Sequence, residues 1–287
     1  MLALPQNGLM VDPSLRTVLE RFEAVILSDP SVLGVLYTGS LGRGTADRFS
    51  DLDLEVWLAD DGFADLPAKT RGLHAVLGTI ELFEVRDPWF TQSNVGPDWR
   101  RVDLHVRRRN DTEPRHNFAG ARIVKDFDGT LARLVAASVP EDVTPTWEEA
   151  RATIMGAIGD QIYIAVNNAR GATWEAIGNV PHHMAQLYEV MARLRGRRSY
   201  GFRYAELLLS PAELRLMRAA WPATPTRAEV RRSARALWTW TGYVWVETER
   251  VLGRPLEVTV DQASLLAAVD ALYAPQIPSP RSGARRD

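Results

Sequence analysis

The run YTGSLGRGTADRFSDLDLEVW, from Tyr37 to Trp57, brings glycines, a serine, an arginine and alternating acids into one short stretch. Gly39 and Ser40 follow the apolar segment VLGVLYT directly. A strand that ends in Gly-Ser and turns into a short helix presents backbone N–H groups at the turn, and such groups bind phosphate. Ser40 adds a hydroxyl donor, and Arg43 adds a fork suited to phosphate oxygens. The turn is not a Walker loop, which needs a lysine absent here. Nor is it a dinucleotide fingerprint, because glycines at 39, 42 and 44 have the wrong spacing. Taken alone, it reads equally well as an ordinary glycine turn after a strand.

Asp51 and Asp53 sharpen that choice. Residues two apart on a strand project from the same face. Two neighbouring carboxylates repel unless a cation sits between them. Leu52, Leu54 and Val56 fill the opposite face, which anchors the strand in a core and points the acids outward. A hard cation such as Mg²⁺ suits an oxygen-only pair of this kind, completed by waters and substrate phosphates. Glu55 shares the acidic face one step further on. The bland alternative is an edge strand decorated with acids for solubility. If two cations are held, a third acid is needed, and RRVDLHV supplies Asp103 between Val102 and Leu104. Asp103 also reads as a surface acid on an amphipathic strand, with His105 on its face. Glu81 and Glu84 in TIELFEV are weaker rivals.

The elements that must position these groups follow from hydrophobic periodicity. Leu15, Val18, Leu19, Phe22, Val25 and Ile26 fall at helical spacing, which predicts a helix over 13–28. Strands are predicted at 32–38, 51–58, 79–85, 100–106 and 121–127, with a helix around 65–77. Beyond about residue 146 strand signal nearly vanishes. Long helical patterns cover 146–170 and 227–252, and shorter ones cover 182–196, 210–220 and 260–273. The fold class is therefore α+β: a mixed-sheet domain over 1–140, an all-α bundle over 141–275, and a Pro-, Ser-, Gly- and Arg-rich tail over 276–287 expected to be disordered. The stretch SVPEDVTPT (138–146) is the expected hinge.

Composition narrows the classes. The chain has 287 residues and a formal net charge of −2, so no global field draws it to nucleic acid or an acidic membrane. Acids outnumber bases up to about residue 146, and arginine dominates beyond it. There is no cysteine, which excludes disulfides and thiolate metal sites. The N-terminus MLALPQNGLM has no basic n-region, and no apolar run reaches membrane-spanning length, so a soluble cytoplasmic protein is expected.

GSLGRGTADRFSDLDLEV followed by VDLHV resembles the nucleotidyltransferase superfamily that includes DNA polymerase β. The pattern is similar above all to its small antibiotic-modifying branch, the kanamycin and streptomycin nucleotidyltransferases. It runs from an apolar residue and Gly-Ser, through about ten residues, to Asp-apolar-Asp and a third acid on a later strand. The later ARIVKDFDGTL also looks like a late strand of streptomycin-type members. The resemblance covers about 35–128 with specific motifs and the helical half only in architecture.

It implies an adenylyltransferase that moves a nucleoside monophosphate, AMP from ATP, to a hydroxyl of a small-molecule acceptor. Asp51, Asp53 and Asp103 would hold two Mg²⁺ ions. Gly39, Ser40 and Arg43 would hold the triphosphate of ATP or another NTP. The kanamycin branch also implies a general base from the helical half. Asp160 in AIGDQIYIA fits that place, where burial would raise its pKa, although an acid on the polar side of the helix reads as well. No lysine follows shortly after Asp160, where kanamycin-type enzymes carry one for phosphate. The arginine-rich second half also disfavours a polycationic aminoglycoside acceptor, which prefers an acidic cleft. An antitoxin-like or regulatory relative acting on a protein partner is the main alternative. Nucleic-acid polymerisation is disfavoured by the near-neutral charge. A homodimer stays open.

Other motifs compete. KDFDGTL (125–131) matches the nucleophile motif of haloacid dehalogenase-type phosphatases, with Asp126 as nucleophile. That reading needs a doubly wound sheet downstream, and a strand ending in an Asp-Gly turn explains the string as well. His182 and His183 read as helix-start residues. Trp238, Trp240, Tyr243 and Trp245 read as packing rather than a stacking platform, and RLRGRRSYGFR (193–203) as a solvated face and loop.

Overall fold

The alternation of DLDLEVWL does produce a strand, β2 (Leu52–Leu58), and its even residues enter the core. Leu52, Leu54, Val56 and Leu58 pack with Leu15, Leu19, Phe22 and Ile26 of helix α1 (Pro13–Ser28) and with Leu73 and Leu77 of α3 (Leu66–Leu77). These contacts come from a computed structural model that describes residues 13–257 and 261–273. The tail over 276–287 lies outside the described residues. Contacts divide the chain between Glu141 and Asp142 into two compact units.

The first unit is built on a six-stranded mixed sheet. Its strands are β1 (Val32–Tyr37), β2, β3 (Ile80–Asp87), β4 (Phe90–Val95), β5 (Arg100–Arg108) and β6 (Arg122–Lys125), in the order β3-β4-β5-β2-β1-β6. A one-turn helix, α2 (Gly39–Gly42), links β1 to the loop before β2. Among the described strands β2 and β5 form the one parallel pair, and the other neighbours run antiparallel. This is not the doubly wound sheet that the phosphatase reading requires. Asp126 is a helix cap: its two oxygens accept from Leu131 N at 2.8 Å and Ala132 N at 3.1 Å, at the start of α4 (Thr130–Ala137).

The odd positions of β2 face the other side of the sheet, which is not simply open. Trp57 is fully buried there with Leu36, Phe118, Leu131 and Leu134. Glu55, expected to point outward, is 1% exposed and accepts from Arg107 Nε at 2.6 Å. Apolar packing from α4 covers that end of the face, so a carboxylate there must be paired.

The second unit is helical. Its long helices are α5 (Trp147–Arg170), α6 (Thr173–Leu194) and α9 (Arg227–Leu252), joined by α7 (Ala205–Leu208), α8 (Pro211–Ala220) and α10 (Gln262–Tyr273). Residues such as Ile154, Met184, Leu187, Leu237 and Trp240 form one buried core. A capping box opens α5, with Thr146 Oγ1 accepting from Glu149 N and Glu149 Oε2 accepting from Thr146 N. α6 begins nine residues before the expected start, with Pro181 inside it. His182 and His183 therefore lie mid-helix, not at its start. Trp240 is buried and stacks on Tyr243 with ring centroids 5.8 Å apart. Arg193 and Arg195 are anchors rather than solvated charges: Arg193 Nε donates to Val143 O at 2.7 Å, and Arg195 pairs with Glu213.

Candidate active site

The turn and the acids meet at one end of the sheet. Thr38 N donates to Asp53 O at 3.0 Å, which fastens the start of α2 to β2. Gly39 takes φ +58°, and a Cβ built on it would stand 2.0 Å from Asp53 Oδ2. Only glycine combines that left-handed backbone with so close an approach to a carboxylate. From there the chain closes a tight turn, with Gly42 N donating to Thr38 O at 2.8 Å and Thr45 N to Ser40 O at 3.0 Å. Thr38 gives the helix no side-chain cap. The opening amides of a helix lack intrahelical partners. Ser40 is half-buried beside them, and Arg43 is exposed, with its stem near Gly120.

β5 supplies the third acid. The parallel register sets Asp53 directly opposite Asp103, and Leu52 opposite Val102. Neighbouring strands are about 4.8 Å apart, so these carboxylates issue side by side from one face. Asp51 stands just before β2 and is partly exposed. The sequence-derived residues Gly39, Ser40, Asp51, Asp53 and Asp103 are thus brought together. Glu55 is not available to them, since Arg107 and Asn117 hold its carboxylate. Glu81 and Glu84 lie on the edge strand β3, two strands from β5.

Sequence reasoning missed Arg101 and Gln92. Arg101 Nε lies 2.9 and 3.2 Å from the two Asp103 oxygens, and its Nη2 donates to Oδ2 at 2.9 Å. The same Nε is 4.0 Å from Asp51 Oδ2. Gln92 Nε2 donates to Asp103 Oδ1 at 2.7 Å. The hydrogen bond to Asp103, with the charges of Asp103, Asp51 and Asp53, holds the Arg101 guanidinium above the usual arginine range. R-x-D spacing on a strand was the available signal for Arg101, because residues two apart share a face. For Gln92, on a strand the pattern did not reveal, there was none.

The chemistry of the donor set fits a hard divalent cation: three carboxylates, all oxygen, abutting a turn that glycine alone allows. Among the described residues, however, no three acidic or histidine groups already stand as a metal cage.

Asp160 belongs to α5 in the second unit. It is not buried as expected: its side chain is 46% exposed. The buried His183 Nε2 lies 2.8 Å from Asp160 Oδ2, off the direction of a good hydrogen bond, and Gln186 Oε1 is 3.1 Å from His183 Nδ1. Burial pulls the His183 imidazole below the usual histidine range, against the raising pull of Asp160. Among the described residues, no helix is long and apolar enough to cross a membrane.

The sequence matches no family model and no curated protein. Solved structures resemble the chain at low identity. An aminoglycoside 6-adenyltransferase from Bacillus subtilis is 11% identical, over 90% of this chain and 97% of that one, with a TM-score of 0.44. A nucleotidyltransferase-like protein from Exiguobacterium sibiricum is 15% identical, over 83% of this chain and 76% of that one, with a TM-score of 0.38. A STING-associated CdnE c-di-GMP synthase from Capnocytophaga granulosa is 12% identical, over 81% of each chain, with a TM-score of 0.24.

Proposed function

We propose that this protein is a Mg²⁺-dependent nucleotidyltransferase that moves a nucleoside monophosphate, AMP from ATP, to a hydroxyl of a small-molecule acceptor. The observation that carries this reading is the register of Asp53 opposite Asp103 on parallel strands, with the Gly39-Ser40 turn pressed against Asp53. Asp51, Asp53 and Asp103 would hold the cation. Bound there, Mg²⁺ supplies positive charge to the attacking and leaving oxygens of an in-line displacement.

The remaining work falls to the chain's own groups. The uncapped amides at the start of α2 and the Ser40 hydroxyl orient the β and γ phosphates, and Arg43 adds charge for them. Catalysis in such a site is mostly positioning and charge neutralisation. The acceptor oxygen bonds to the α-phosphorus, the bridging P–O bond to the β-phosphate breaks, and pyrophosphate leaves. The hydroxyl proton leaves to water; Asp160, the base that the resemblance implies, belongs to the helical unit.

Labelled ATP with Mg²⁺ and a panel of hydroxylated acceptors tests the proposal. The double variant Asp51→Asn, Asp53→Asn should lose transfer while keeping its circular-dichroism spectrum and melting point. Transfer at the wild-type rate in that variant would sink the metal assignment. Label found in a protein band instead of a small molecule would move the acceptor to a protein.

A further inference from the structure

We propose that Arg101 is a resident counter-cation of the acidic site, and that a divalent cation binds Asp103 only by displacing it. This rests on the assignment of Asp51, Asp53 and Asp103 as cation ligands.

An ionised carboxylate offers about four lone-pair positions. Three N–H groups crowd Asp103: Gln92 Nε2 reaches Oδ1 at 2.7 Å, Arg101 Nη2 reaches Oδ2 at 2.9 Å, and the single Arg101 Nε–H is shared between Oδ1 at 2.9 Å and Oδ2 at 3.2 Å. The two-pronged Arg101 fork spans both oxygens, so a cation cannot approach that edge of the carboxylate while the fork remains. The two donors differ in how readily they leave. Gln92 is 9% exposed, and its own Oε1 accepts from Arg86 Nη2 at 3.0 Å, so it is fixed from both ends. Arg101 is 48% exposed on a flexible stem, and water is open to it. Gln92 therefore orients Asp103, and Arg101 occupies the edge that a cation would use.

The arrangement also explains how the site tolerates its own charge. Asp53 and Asp103 are cross-strand neighbours, where like charges repel. The guanidinium touching Asp103 and standing 4.0 Å from Asp51 Oδ2 neutralises that repulsion. A divalent cation does the same service, so the two compete for one place.

Mn²⁺ binding to the full chain, followed by electron paramagnetic resonance and by calorimetry, tests the competition in wild type, Arg101→Gln, Arg101→Lys and Asp53→Asn. Arg101→Gln should bind Mn²⁺ at least about tenfold more tightly, since a competing charge-assisted pair has gone. Arg101→Lys, a point charge without the fork, should fall between. Arg101→Gln should also melt below wild type in EDTA and recover when Mn²⁺ is added. Unchanged or weaker Mn²⁺ binding by Arg101→Gln, with Asp53→Asn still abolishing wild-type binding, would overturn the role of Arg101 and leave the cation site standing. Absence of Mn²⁺ binding in wild type and in both Arg101 variants would overturn the cation site and this inference with it.

Discussion

Replacing Gly39 by alanine should damage the candidate site through two separable effects. The first is backbone strain: Gly39 has φ +58°, and the left-handed region is unfavourable for alanine by roughly 1–2 kcal/mol. The second is a collision. The new Cβ would lie 2.0 Å from Asp53 Oδ2 and 2.9 Å from its Cγ, where carbon contacts settle at about 3.5–4.0 Å. The carboxylate or the turn must therefore retreat by more than about 1 Å, and misplacement on that scale lowers turnover by about 10²-fold. Gly96→Ala separates the two effects. Gly96 has φ +70° with nothing within 4 Å of its virtual Cβ, so it bears the backbone strain alone. Urea denaturation should show a similar backbone loss in both variants and an added loss in Gly39→Ala. Mg²⁺-dependent transfer from labelled ATP should fall only in Gly39→Ala. The reasoning fails if Gly39→Ala loses no more stability and no more activity than Gly96→Ala.

Three further outcomes follow from groups outside that turn. His74 is buried between Thr91 Oγ1 at 2.9 Å and Ser93 Oγ at 2.6 Å, and burial pulls its pKa from 6.5 down to about 4. The unfolded chain binds that proton more tightly, so stability should fall as pH drops from 6.5 towards 4, by up to about 3 kcal/mol. His74→Gln should flatten urea-midpoint profiles over that window. Arg107→Leu strands the Glu55 carboxylate in the core and should lower stability by about 3–5 kcal/mol in urea melts, with Glu55→Leu in the same chain recovering most of it. Thr146→Ala removes the capping box of α5 and should lower the stability of the helical unit by about 1 kcal/mol, read as a shift in its thermal midpoint.

Much of this was legible where hydrophobicity repeats regularly. α1 and α9 begin and end at the residues their apolar spacing predicts, and the even positions of β2 enter the core as their spacing implies. β4 was invisible because its buried residues Thr91, Gln92 and Ser93 are polar, so no apolar alternation announces it. The early start of α6 was missed because Pro181 reads as a boundary. The helix instead runs through it, forgoing the bond that Pro181 would donate to Ile177 O. At the site, the acids were found from spacing along the chain. Their pairing with Arg101 and Gln92 was hidden because it depends on which strands lie side by side. The burial of Glu55 was missed for the same reason: nothing local says that α4 packs over the far end of β2.

The parallel pairing of β2 with β5 also sets when the site can exist. Asp53 and Asp103 stand at one level of the sheet although the whole β3–β4 hairpin separates them in the chain. Antiparallel neighbours such as β3, β4 and β5 can pair through short loops, whereas the β2–β5 ladder must close a long one. That join is a late event in a growing or refolding chain. A ribosome-bound chain that has released β2 but not β5 carries the Gly-Ser turn and two acids without the third. The three acids thus come together only with completion of the sheet, and no shorter piece of the chain can present them side by side.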